Sequence, residues 1–109
     1  MAVDQELQEK VKEMRTIEQN LQNVLLQKQA FQLEVNETKN AEEELKKTTG
    51  EVFRVLGQIM IKSNKTELEK EIKEKKQLID MRLKALEKQE TTLTATLEKL
   101  RNDLIEKIK

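Results

Sequence analysis

The sequence predicts an all-α coiled coil with an inserted β-hairpin: two antiparallel helices joined by a hairpin that oligomerises into a β-barrel. Three observations lead there. Two long segments without Pro carry apolar residues at steps of three and four. A short β-branched run around Gly57 separates them. The composition, 39% charged and 36% hydrophobic, lies far from the roughly 25% charged and 45–50% apolar of an average globular domain.

The first helix is expected over residues 5–48. A heptad frame places Leu7, Met14, Leu21, Lys28, Val35 and Glu42 at a, and Lys10, Ile17, Val24, Phe31, Thr38 and Leu45 at d. Polar residues at four of these positions predict a modest seam rather than an optimised zipper. Lys46 and Lys47 followed by Gly50 read as a helix stop, and Asp4 as a weak cap at the start.

The second helix is expected over residues 64–108, opened by Asn64 and Glu67 as a capping pair. Leu68, Ile72, Ile79, Leu83, Leu86, Leu93, Leu97, Leu100 and Leu104 then recur at helical steps, with Lys76 and Glu90 at the intermediate seam positions. Helices of this length reach roughly 65 Å at 1.5 Å per residue, against a radius of gyration of about 13 Å for a compact domain of similar size. A rod is expected.

Residues 51–62 carry the hairpin. Gly57-Gln58 suits a two-residue type II′ turn, which pairs Leu56 with Ile59, Val55 with Met60, Arg54 with Ile61 and Phe53 with Lys62. Phe53, Val55 and Met60 then share one face, and Val52, Leu56, Ile59 and Ile61 the other. A two-stranded ribbon is marginal alone and has two open edges. Hairpins from several chains joining edge to edge into a barrel would bury one apolar face and remove the edges. A hairpin that merely folds back on its own helix ends is the alternative.

Composition excludes most chemistry. The chain has 109 residues, 21 basic and 21 acidic groups, and no His, Cys, Pro, Trp or Tyr. Without His or Cys there is no Ser–His or Cys–His nucleophile, and no ordinary Zn, haem or Fe–S ligand set. Catalytic, cofactor and metal sites are therefore expected to be absent. Zero net charge gives no field for nucleic acid, and Lys73, Lys75 and Lys76 are interleaved with Glu69, Glu71 and Glu74. No 18-residue apolar stretch or signal-peptide pattern occurs, so a cytoplasmic chain without membrane contact is expected.

The distal parts of the helices are poor in charge. Residues 16–33 carry only Glu18 and Lys28, and Thr91-Thr92-Leu93-Thr94-Ala95-Thr96-Leu97 carries none. With residue numbers adding to about 113 across an antiparallel pair, these stretches lie side by side. Val3, Val11, Leu25, Leu26, Leu33, Ile105 and Ile108 fall outside the main seams. They are either contacts for a partner's apolar surface or, for Val11 and Ile105, a widening of the seam.

Gly50-Glu51-Val52-Phe53-Arg54-Val55-Leu56-Gly57-Gln58-Ile59-Met60-Ile61-Lys62 resembles the central hairpin of beta-class prefoldin subunits, and so do the long flanks, including Glu71–Lys76 and Arg82–Glu90. Phe53 stands where Tyr is common, and Leu56 where a smaller residue often precedes the Gly. The resemblance covers about residues 5–105 and implies one prefoldin-like domain over 1–109, from an archaeal source. It implies an ATP-independent co-chaperone, a holdase, in a hexamer of two alpha and four beta subunits. Val52, Phe53, Val55, Leu56, Gly57, Ile59, Met60 and Ile61 would form the assembly hairpin. Coiled-coil tips would hold unfolded polypeptides and pass them to a group II chaperonin, placing Val3, Leu7, Val11, Met14, Leu100, Leu104, Ile105 and Ile108 at the client site. A structural scaffold without chaperone activity is the alternative.

Overall fold

The computed structural model describes residues 2–108, with side chains from residue 4 onward. Helix α1 runs Ala2–Lys47, strands β1 and β2 run Val52–Leu56 and Ile59–Ser63, and helix α2 runs Lys65–Ile108. The heptad frame accounts for α1 position by position. From Asp4 to Lys47, the residues withdrawn from solvent are the twelve assigned to a and d, including the polar Lys10, Lys28, Thr38 and Glu42. On α2 the sheltered positions from Lys76 to Leu100 follow the same alternation of three and four, with Lys76 and Glu90 filling their seam places. Apolar burial along these seams supplies the bulk of the stability, at about 25 cal/mol per Å².

The chain divides into two compact units, Met1–Gln29 with Lys84–Lys109, and Ala30–Leu83. In the first, Val24, Leu86 and Leu97 are buried. The helices are antiparallel there, because Lys10 meets Asp103 and Lys28 meets Glu90. In the second, Leu45, Thr38 and Ile79 are buried, Ile79 to 2% exposure. Glu42 lies 3.8 Å from Lys76, and the Arg82 guanidinium stands 5.7 Å from the centre of the Phe31 ring, a cation–π contact.

The second unit also contains the hairpin. Its antiparallel register pairs Leu56 with Ile59, Val55 with Met60, Arg54 with Ile61 and Phe53 with Lys62, as the turn chemistry predicts, and adds Val52 with Ser63. Gly57 has φ +62° while no other residue has positive φ among the described residues. A type I′ turn would need positive φ at Gln58 as well, so the geometry is that of type II′.

The helix ends differ from the sequence expectation in three places. Helix α1 begins at Ala2, so Asp4 sits inside the first turn and favours the helix by its charge near the N-terminal amides rather than as a cap. Gly50 has no positive φ and so supplies no left-handed C-cap. Thr48 closes the helix instead: its N–H donates to the Leu45 carbonyl at 3.3 Å and its hydroxyl to the Glu44 carbonyl at 2.7 Å. At the start of α2, the Asn64 side chain accepts from the Thr66 N–H at 2.8 Å. The reciprocal bond from Glu67 that a capping box requires is not formed among the described residues.

Candidate functional site: the hairpin and the helix ends

The hairpin is unusual for what it leaves in solvent. Phe53 is 44% exposed, Val55 63% and Met60 66% on one face; Leu56 is 53%, Ile59 64% and Ile61 46% exposed on the other. The strands pair only with each other in a two-stranded sheet, so the outer backbone groups of both strands remain available. Its two basic side chains are tied down locally. Arg54 forms an ion pair with Glu71 on α2, and Lys62 lies 3.1 Å from Glu51. At the hairpin base Lys65 donates to the Thr48 carbonyl at 3.2 Å. The Arg54 pair ties β1 to α2 without covering either face, since these six large apolar side chains stay at least 44% exposed.

At the chain ends the expected client residues separate into two groups. Leu7, Met14, Leu100 and Leu104 are half-buried seam residues. Val11, Ile105 and Ile108 are exposed, at 38%, 47% and 76%. Val3 lies in α1, but its side chain is outside the described residues. The apolar residues Leu25 and Leu26 are exposed in the same unit. In the hairpin-bearing unit Leu33, Leu78 and Met81 are exposed too. Leu78 and Met81 escaped the sequence reading, although both sit off the seam frame and could have been found by that signal.

A set of charges accompanies the chain ends. Lys107 Nζ donates to Glu6 Oε2 at 2.6 Å, and Lys10 Nζ lies 3.8 Å from Asp103 Oδ2. The hydrogen bond from Lys107 holds the Glu6 carboxyl below its ordinary 4.5, and its bond to Glu6 holds Lys107 above 10.5. Further along, Lys28 Nζ donates to Glu90 Oε2 at 2.7 Å, and that bond raises Lys28 despite partial desolvation.

These shifts give a pH prediction. The lowered Glu6 contributes stability above 4.5 that is lost as pH falls through its folded value. The raised Lys107 and Lys28 contribute below 10.5 and lose that contribution as pH rises through theirs. With neither His nor Cys present, amide-exchange protection near residues 6 and 107 should be flat through neutrality and decline at both extremes. A transition centred at about pH 7, where unperturbed histidine titrates, would contradict this.

No group of three or more carboxylate, His or Cys side chains is placed to hold a metal among the described residues. No described helix is long and apolar enough to cross a membrane. What the geometry offers is an uncovered apolar hairpin and a pair of long helices.

Comparison with known proteins decides what family that arrangement represents. The family model described as prefoldin subunit matches residues 8–109. The chain belongs to the prefoldin subunit family. Prefoldin subunit beta of Pyrobaculum islandicum is 32% identical over 100 residues, covering 90% of this chain and 80% of the relative. Prefoldin subunit beta of Thermococcus onnurineus is 39% identical over 85 residues, covering 76% and 73%. The crystal structure of the prefoldin beta subunit from Thermococcus strain KS-1 superposes with a TM-score of 0.84 at 33% identity, over 91% of this chain and 89% of that one. The prefoldin resemblance and its beta class thus hold, with archaeal relatives among the matches. Two long helices joined by a β-hairpin are the prefoldin fold. Membership of this non-enzymatic family settles that the chain is not an enzyme.

Proposed function

We propose that the chain is a beta subunit of an ATP-independent holdase that captures non-native polypeptides at its helix ends and delivers them to a group II chaperonin in the cytoplasm. The assembly is a hexamer of two alpha and four beta subunits, in which hairpins join edge to edge and close into β-barrels. Family membership supports the class of function. The observation that carries the assembly is the hairpin, with six large apolar side chains exposed over two faces and two unpaired edges.

Covering such side chains releases about 1 kcal/mol or more for each that goes from half-exposed to buried. Barrel closure also satisfies the edge N–H and C=O groups. Val52, Phe53, Val55, Leu56, Ile59, Met60 and Ile61 act as the assembly surface, with Gly57 setting the turn. The client surface draws on Val3, Leu7, Val11, Met14, Leu100, Leu104, Ile105 and Ile108. Seam residues among them hold the helices together, while Val11, Ile105 and Ile108 meet the client. Each arm binds weakly, and several acting on one chain gain affinity through effective concentration. Weak single contacts also permit release to the next machine.

The test is aggregation of an unfolded protein diluted from denaturant, followed by light scattering with the complex present and nucleotide absent. Suppression at a few complexes per client is expected. Scattering indistinguishable from the client alone would favour a passive scaffold instead.

A further inference from the structure

The chain ends form a helical pair with two unlike flanks. In an antiparallel pair, e and b positions of both helices line one flank, and g and c positions line the other, because each helix turns away from the shared a/d seam in the same sense. Counting from a at Leu7 and at Leu97, the first flank receives Val11 from α1 and Ile105 and Ile108 from α2. The second receives Glu6, Glu9 and Glu13 with Asp103 and Glu106. The ion pairs place the second flank independently: Glu6 and Asp103 are joined to the seam lysines Lys107 and Lys10. In this unit no apolar side chain larger than alanine stands at a g or c position from Asp4 to Ile108. Among the described side chains, the exposed large apolar residues near the chain ends, Val11, Ile105 and Ile108, lie on the other flank.

We infer that client capture is one-sided: a short, extended apolar segment of a non-native polypeptide seats on the Val11–Ile105–Ile108 flank, and the charged flank takes no part. This rests on the holdase reading and specifies its contact. The three side chains present roughly 300 Å² of surface, well short of the roughly 800 Å² per partner that stable folded complexes bury. A second copy or a folded protein is therefore a poor occupant. A helical occupant needs apolar contacts every three to four residues over several turns, whereas the next large apolar residue on this flank of α1 is Leu25, two heptads beyond Val11. An extended segment turns a side chain to the same face about every 6.5–7 Å. It can use a small patch and leave it quickly.

Because the chain has no cysteine, one introduced thiol carries one label. Gln8→Cys and Glu9→Cys place an environment-sensitive fluorophore on the apolar and charged flanks of one helical turn. In the full-length assembled complex, a reduced, carboxymethylated polypeptide that cannot refold is the probe. Its addition should shift emission from position 8 to the blue and leave position 9 unchanged. Val11→Asn with Ile105→Asn should weaken probe binding about five- to tenfold, and Glu9→Gln with Glu13→Gln should leave it within about twofold. Equal response from both labels, or equal weakening by both pairs, overturns one-sided capture while the holdase reading stands. Failure of the unmodified complex to hold the probe defeats the holdase reading itself.

Discussion

Replacing Val55 and Ile61 with Asp together should abolish assembly while leaving the helices formed. The two residues lie on opposite faces of the hairpin, as the pairings of Val55 with Met60 and Ile61 with Arg54 require. They are 63% and 46% exposed in the single chain, so the isolated fold loses little; exposed substitutions usually stay within about 0.5 kcal/mol. In a closed barrel at least one of the two carboxylates would be buried without a partner, at a cost of several kcal/mol. In the proposed hexamer four such hairpins would repeat the penalty, and association should weaken by a thousandfold or more, about 4 kcal/mol. Native mass and far-ultraviolet circular dichroism read the two halves of this outcome. Unchanged mass would show that chains associate through some surface other than the hairpin.

Removing residues 1–12 and 102–109 should have the complementary effect. The deletion takes away Val11, Ile105 and Ile108 with the Glu6–Lys107 and Lys10–Asp103 pairs, and leaves the hairpin strands Val52–Leu56 and Ile59–Ser63 intact. Assembly should persist. Client capture should fall tenfold or more, because a loss at each arm compounds when several arms hold one client. Binding of a non-refolding polypeptide to the intact and trimmed complexes, measured at equal complex concentration, gives the comparison. Undiminished capture would move the client site to other exposed residues, such as Leu26 or the Leu78 and Met81 pair.

Much of the architecture was legible because it rests on short-range periodicity. The a/d frame on α1 marks its sheltered residues even where Lys28 and Glu42 occupy seam positions, since helical geometry assigns the position before the side chain fills it. The hairpin register was legible for a similar reason. A two-residue turn at Gly57-Gln58 leaves only one pairing of the flanking strands.

Which charges pair was less legible than the offset itself. A residue-number sum of about 113 brings Glu6 to Lys107 and Lys10 to Asp103. Lys28 meets Glu90 and Glu42 meets Lys76 at a sum of 118, and Arg54 of the hairpin reaches Glu71 on α2, a pair that no helix-to-helix offset supplies. Gly50 misled for another reason. Thr48 satisfies the last carbonyls of α1 through its own N–H and hydroxyl, so a left-handed glycine is not needed. The proposed client residues were only partly separable by sequence, because Leu104 and Ile105 are adjacent and equally apolar, yet Ile105 is 47% exposed while Leu104 turns into the seam.

The need of the hairpin for neighbouring chains is tested most directly by sedimentation equilibrium of the full-length chain over a wide concentration range, with amide exchange followed at Val52–Leu56 and Ile59–Ser63. Mass should rise with concentration, or on adding the partner subunits, and strand amides should become protected only as it rises. A monomer that stays monomeric throughout, partners included, with those amides already protected, would contradict it.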